Sequence, residues 1–106
     1  MKKTNDIPGI SLGDMQKLKI VFDTTPALTD VVLYGSRAKG TYRPESDIDL
    51  TLKGSALATG GLMDLASQID DLLLPYEVDL SIFEHIENAD LINHINRIGK
   101  VIFTHE

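Results

Sequence analysis

Cysteine is absent from the 106-residue chain, which removes any disulfide framework and any thiolate metal site. Long apolar runs are absent as well. No stretch has the length of a membrane span, and the opening MKKTND is too polar for a signal peptide, so the expected location is the cytoplasm. Positive charge is scarce: ten Lys and Arg stand against sixteen Asp and Glu, a formal net charge of −6. A nucleic-acid binder normally carries a basic stripe that neutralises phosphates. Here Arg37, Lys39 and Arg43 form one small basic loop and the other positive residues are scattered. That pattern suits one polyanionic ligand and argues against direct nucleic-acid binding. His85, His94 and His105 have no metal-ligand spacing and read as surface residues.

What is present reads as a single domain over residues 1–106, with Met1–Ile10, which contains Pro8-Gly9, expected to be loosely docked. Ser11 with Asp14 resembles a capping box, and Leu12, Met15, Leu18, Val21 and Phe22 fall on one face of the helix that follows. Val31–Tyr34 is a β-branched, apolar strand. It runs into Gly35-Ser36, where Ser36 is placed to cap a short helix through Lys39 before Gly40 stops it. Asp47–Lys53 alternates, with Asp47, Asp49 and Thr51 opposite Ile48, Leu50 and Leu52. After a connection bracketed by Gly54 and Gly60-Gly61, a second amphipathic helix is predicted through Leu62, Leu65, Ala66, Ile69, Leu72 and Leu73, closed by Pro75. Tyr76–Phe83 alternates again. Asn88 caps a third long helix, packed through Leu91, Ile92, Ile95 and Ile98 and stopped by Gly99, and Lys100–Thr104 is a last strand.

The order helix, strand, short helix, strand, helix, strand, helix, strand implies a two-layer α/β or α+β domain. Its helices bury the apolar face of a sheet and leave the carboxylate face open.

The carboxylates carry the chemistry. Asp47 and Asp49 leave one face of a strand, and adjacent carboxylates repel unless a cation lies between them. Magnesium suits such hard oxygen ligands. Asp79, between Val78 and Leu80, joins them if the two strands are neighbours, whereas Glu77 reads as the solvated residue of that face. Gly35-Ser36 supplies a turn that a phosphate can approach closely. The run Gly35–Thr41 looks like the start of a P-loop but has Thr41 where the lysine is required, so that reading fails. Asp47–Thr51 matches the D-x-D-x-T of dehalogenase-like phosphatases, yet there the apolar strand precedes the first aspartate and here it follows.

Gly35-Ser36, ten residues, Asp47-x-Asp49 and a later apolar-Asp79-apolar strand, together with Leu33–Gly40 (LYGSRAKG), resemble the nucleotidyltransferase superfamily related to DNA polymerase beta. The resemblance is greatest to its smallest members, the minimal nucleotidyltransferase antitoxins paired with HEPN-domain toxins, and covers most of the chain. It implies a mixed sheet with helices on one face. It also implies catalytic and metal-binding roles for Asp47, Asp49 and Asp79 with two Mg2+ ions, about 3.5–4 Å apart in such two-metal sites. By the same resemblance, Gly35 and Ser36 bind the triphosphate of ATP, Arg37 or Lys39 neutralises the leaving group, and Asp79 helps deprotonate the acceptor hydroxyl. The implied partner is a HEPN toxin modified on a tyrosine, in a hetero-oligomer. Two other functions remain open on the residues alone: a binding module that masks its partner without turnover, and a transferase acting on a small molecule of the aminoglycoside type. Tyr42 is placed either to pack or to touch a nucleotide base.

Overall fold

The computed structural model describes residues 4–54, 57 and 59–105. Met1–Lys3, Ser55, Ala56 and Ala58 of the glycine-bracketed connection, and Glu106 lie outside them. The elements are α1 (Leu12–Asp23), β1 (Asp30–Tyr34), α2 (Gly35–Lys39), β2 (Ile48–Lys53), α3 (Thr59–Asp70) and β3 (Val78–Ile82). A 3-10 turn (Phe83–His85), α4 (Ala89–Ile98) and β4 (Lys100–Thr104) follow.

The four strands form one mixed sheet in the order β3-β2-β1-β4. β1 is antiparallel to β2 and β4, and β2 is parallel to β3. Strand alternation decides the faces. Val31 and Leu33, together with Ile48, Leu50 and Leu52, point to the side where Met15, Leu18, Val21 and Phe22 of α1 and Leu65 and Ile69 of α3 are buried in one core. The mixed sheet with a one-sided helical cover is the architecture the chain predicts. To it the structure adds α4, which meets β1 from the other face. Val32 points away from the main core, yet it is buried together with Ile95 of α4. A Cβ on Gly99, at the α4–β4 junction, would lie 2.7 Å from Val32 Cγ1 and against the Ile95 carbonyl. Glycine is therefore needed at position 99 because the chain passes too close to β1 and to the last turn of α4 for a side chain, and its φ of −59° would suit any residue.

Local chemistry sets the helix starts. The Ser11 hydroxyl accepts the Asp14 amide at 3.0 Å, and Asn88 Oδ1 accepts the Leu91 amide at 3.0 Å. Three expectations change. Leu12 is 72% exposed, because the packed stripe begins one turn later at Met15. α3 ends at Asp70: the amides of Leu72 and Leu73 bond three residues back, and Leu73 turns to φ +54°, leaving its side chain 87% exposed. Residues 4–10 are docked. Ile7 is 2% exposed, and the Asn5 amide donates to the Val101 carbonyl at 2.8 Å, covering part of the β4 edge. Burial of Ile7 and hydrogen bonds from the Asn5 amide and to the Pro8 carbonyl outweigh the loosening effect of Pro8-Gly9. Among the described residues no helix is long and apolar enough to cross a membrane.

Candidate active site

Sheet register brings the carboxylates together. Tyr34 pairs with Asp49 across the antiparallel β1–β2 ladder, and Asp49 pairs with Asp79 across the parallel β2–β3 ladder. All three side chains leave the face opposite the main core. Asp47 stands one residue before β2 and is exposed, Asp49 is half-buried, and Asp79 is exposed on the edge strand. The neighbouring strands that the aspartate reading required are thus present. Behind the pair the same face carries Thr51 and Ser81, whose hydroxyls are hydrogen-bonded at 3.0 Å, with Thr51 fully buried.

The electrostatics follow from this crowding. Burial first, then the charges of Asp79 and Asp47, push the Asp49 carboxyl above the ordinary value, while the His94 imidazole opposes the shift. Burial likewise raises the Tyr34 phenol, against a lowering by the Ser81 hydroxyl and together with further raising by Asp49 and Asp79. Among the described residues no three acidic or histidine groups are gathered closely enough to form a ready metal cage. The donor set nevertheless fits a divalent cation: it consists of hard carboxylate oxygens, and their mutual repulsion at Asp49 is what such an ion relieves.

The turn after β1 is built against Asp49. Gly35 has φ +76°, a region that only glycine enters cheaply, and a Cβ there would fall on Asp49 Oδ2. Glycine is required at this position both for the turn and for contact with the carboxylate. Gly35→Ala is expected to lower stability by about 1–3 kcal/mol through the strained φ. A thermal melt checks the effect. Ser36, half-buried, follows in the turn, and its carbonyl accepts the amides of Gly40 at 2.9 Å and Thr41 at 3.1 Å. It is the second residue of α2 and does not cap it: the N-cap is Tyr34, without a side-chain bond. Lys39 is exposed at the last position of α2.

Arg37 lies elsewhere than a phosphate-binding role requires. It is 1% exposed. Its Nε and Nη2 donate to the Ser46 carbonyl at 3.2 and 2.8 Å, Nη1 to Pro8 O at 2.8 Å and Nη2 to Pro44 O at 3.3 Å. The guanidinium carbon lies 5.1 Å from the Tyr42 ring centroid and 5.2 Å from that of Tyr76. Arg37 therefore ties the loop ending at Asp47 to the N-terminal segment, and Tyr42 packs on it.

His94, which the sequence reads as a surface residue, is half-buried beside the turn. Its Nε2 accepts the Gly35 amide at 3.2 Å, and its ring meets Tyr34 edge-on at 6.2 Å. The available signal was positional. His94 sits three residues after Leu91 and four before Ile98, on the apolar stripe of α4. His85 is exposed, and His105 lies near Asp23 and the Thr25 carbonyl, away from the carboxylates.

Comparison with known proteins bears on the family and the fold. Nothing among curated proteins matches the sequence. Among solved structures, a toxin–antitoxin complex with AMP-PNP superposes with a TM-score of 0.68 at 23% identity, covering 87% of this chain and 74% of that one. A complex of tri-AMPylated Shewanella oneidensis HEPN toxin with MNT antitoxin gives 0.62 at 20% identity, over 87% and 71%. The MntA–HepT toxin–antitoxin gives 0.62 at 21%, over 90% and 74%. These similarities show a common fold. The family described as polymerase beta nucleotidyltransferase matches residues 16–106, which includes the glycine-serine turn and all three aspartates, and this chain belongs to that family.

Proposed function

We propose that this protein transfers AMP from ATP to a hydroxyl of a partner protein, a tyrosine of a HEPN toxin, and so acts as its antitoxin in a cytoplasmic hetero-oligomer. The observation that carries the reading is the glycine turn pressed against Asp49, itself in register with Asp79. A phosphate-accepting turn and a carboxylate pair in contact are what nucleotidyl transfer needs. The antitoxin role is supported by the fold shared with the antitoxin complexes.

Asp47, Asp49 and Asp79 would hold magnesium, which when bound supplies neutralisation of the carboxylates and of the phosphate oxygens. The chain's own residues do the rest. Gly35, whose open side is filled by Asp49, shapes the turn, and Ser36, half-buried and next in the chain, takes the triphosphate. Lys39, exposed at the end of α2, is the cation available to the leaving pyrophosphate. Arg37 acts from behind, by holding the Ser46 carbonyl and with it the approach to Asp47. Asp79, exposed on the edge strand, is open to an incoming acceptor and takes the hydroxyl proton. The acceptor oxygen then bonds to the α-phosphorus, the bond from that phosphorus to the bridging oxygen breaks, and pyrophosphate leaves.

Incubation with labelled ATP, magnesium and the cognate toxin is the test. The wild-type protein should label the toxin, and Asp47→Ala should label it about a hundredfold less or worse. Equal labelling by both proteins, or by neither, overturns the reading. Binding of the toxin without label in either case identifies a masking module, and label on an aminoglycoside alone identifies a small-molecule transferase.

A further inference from the structure

α4 approaches the sheet on the side of the carboxylates, and it brings a histidine there. His94 lies on the same stripe as Leu91, Ile95 and Ile98, so the burial of Ile95 against β1 holds the imidazole in place. Its Nε2 meets the Gly35 amide at 3.2 Å, and its ring stands edge-on to Tyr34, one residue earlier. Gly35 is consequently held from two directions. The imidazole takes its N–H, and the Asp49 carboxylate lies where its side chain would be. With that amide engaged inside the protein, the group that the turn presents to a phosphate belongs to Ser36 and not to Gly35.

We infer that His94 is a positioning residue for the nucleotide site: it anchors the Gly35 amide from α4 and thereby sets the turn against Asp49. The inference rests on the nucleotide-binding reading of that turn. It assigns His94 no contact with the substrate. Tyr34, Gly35 and Ser36 are consecutive, so an anchor on the middle residue constrains both the strand end and the hydroxyl that follows. Without an acceptor at this point, a half-buried amide loses its partner and the positive-φ turn loses its fixed point.

An isosteric pair of variants separates anchoring from packing. Glutamine places an acceptor oxygen close to the position of the imidazole Nε2, whereas methionine has the same length and no comparable acceptor. Binding of Mg·ATP to the full-length protein is measured by titration for wild type, His94→Gln and His94→Met, with melting temperatures in parallel. The expected result is affinity near wild type for His94→Gln and about tenfold weaker for His94→Met, one hydrogen bond's worth, with both melting within a few degrees of wild type. In transfer assays the methionine variant should raise KM for ATP more than it lowers kcat. Wild-type affinity in His94→Met overturns the inference. So does an equal loss in both variants that follows their melting temperatures, since that is a packing role. Wild-type protein that binds ATP and transfers nothing defeats the transferase reading alone, and wild-type protein that binds no ATP defeats both.

Discussion

Asp49→Asn is expected to abolish nucleotidyl transfer, by about a thousandfold or more, while leaving the fold as stable as before or more so. Both halves come from one environment. Asp49 is the carboxylate in register with Asp79, in contact with the Gly35 turn, and coupled to Asp47, so the three carboxylates and the glycine turn are linked through it. Removing a charge from a set that works as a unit costs far more than one hydrogen bond, commonly three or more orders of magnitude. Stability behaves in the opposite sense. Burial and two like charges hold this carboxyl above its ordinary value of 3.8, so the ionised form is less favourable in the folded chain than in the unfolded one. Between 3.8 and the raised folded value, the folded state binds more proton than the unfolded state. The Asp49 contribution is therefore most favourable below that window, falls as pH rises through it, and stays low above it. Asparagine removes both the repulsion and this slope. Urea midpoints measured across the acidic range should decline more steeply with rising pH for wild type than for Asp49→Asn, and transfer assays at neutral pH give the other half.

Arg37→Met is expected to cost roughly 3–5 kcal/mol of stability, the sum to be expected when several charge-assisted hydrogen bonds are lost from a buried site. On a domain of this size that lowers the melting temperature by on the order of 15 °C. The carbonyls of Pro8, Pro44 and Ser46 would lose their donors, and the rings of Tyr42 and Tyr76 would lose the cation between them. Arg37→Lys should recover only part of this, because one ammonium cannot fork to three carbonyls as a planar guanidinium does. Thermal melts of the two variants decide between this structural role and direct binding of phosphate. A solvent-facing phosphate ligand could be removed with less than about 0.5 kcal/mol of change. Transfer should also fall in Arg37→Met, because Ser46 immediately precedes Asp47 and the loop that presents this carboxylate would no longer be tied to the N-terminal segment.

Arg37 and His94 show where reading a sequence ends. Beside Lys39 and Arg43, Arg37 has the appearance of a phosphate ligand, yet among the described residues it is the largest fully buried side chain. Residue type announces that a guanidinium needs acceptors. It does not say whether they are phosphates or the backbone carbonyls of segments 29 and 9 positions away. His94 is 59 residues from the amide that it anchors. Nothing local marks that partnership except a polar residue on an apolar stripe. The docked Ile7 and the outward turn at Leu73 belong to the same class, because both depend on what the remainder of the chain leaves uncovered.

By itself the sequence determined the features whose causes lie within a few residues. These include the helix starts at Ser11 and Asn88, the alternation that puts Ile48, Leu50 and Leu52 on one side and Asp49 and Thr51 on the other, and the glycine turn that ends β1. Period and capping are local physics, so they can be read without a fold. The tertiary structure alone decided that β2 and β3 run parallel with Asp49 opposite Asp79, that α4 crosses to the carboxylate face, and that a buried arginine holds the loop leading to Asp47. Those are matters of which distant segments share a core. Burial free energy summed over the whole chain selects among them, and no short stretch of residues contains that sum.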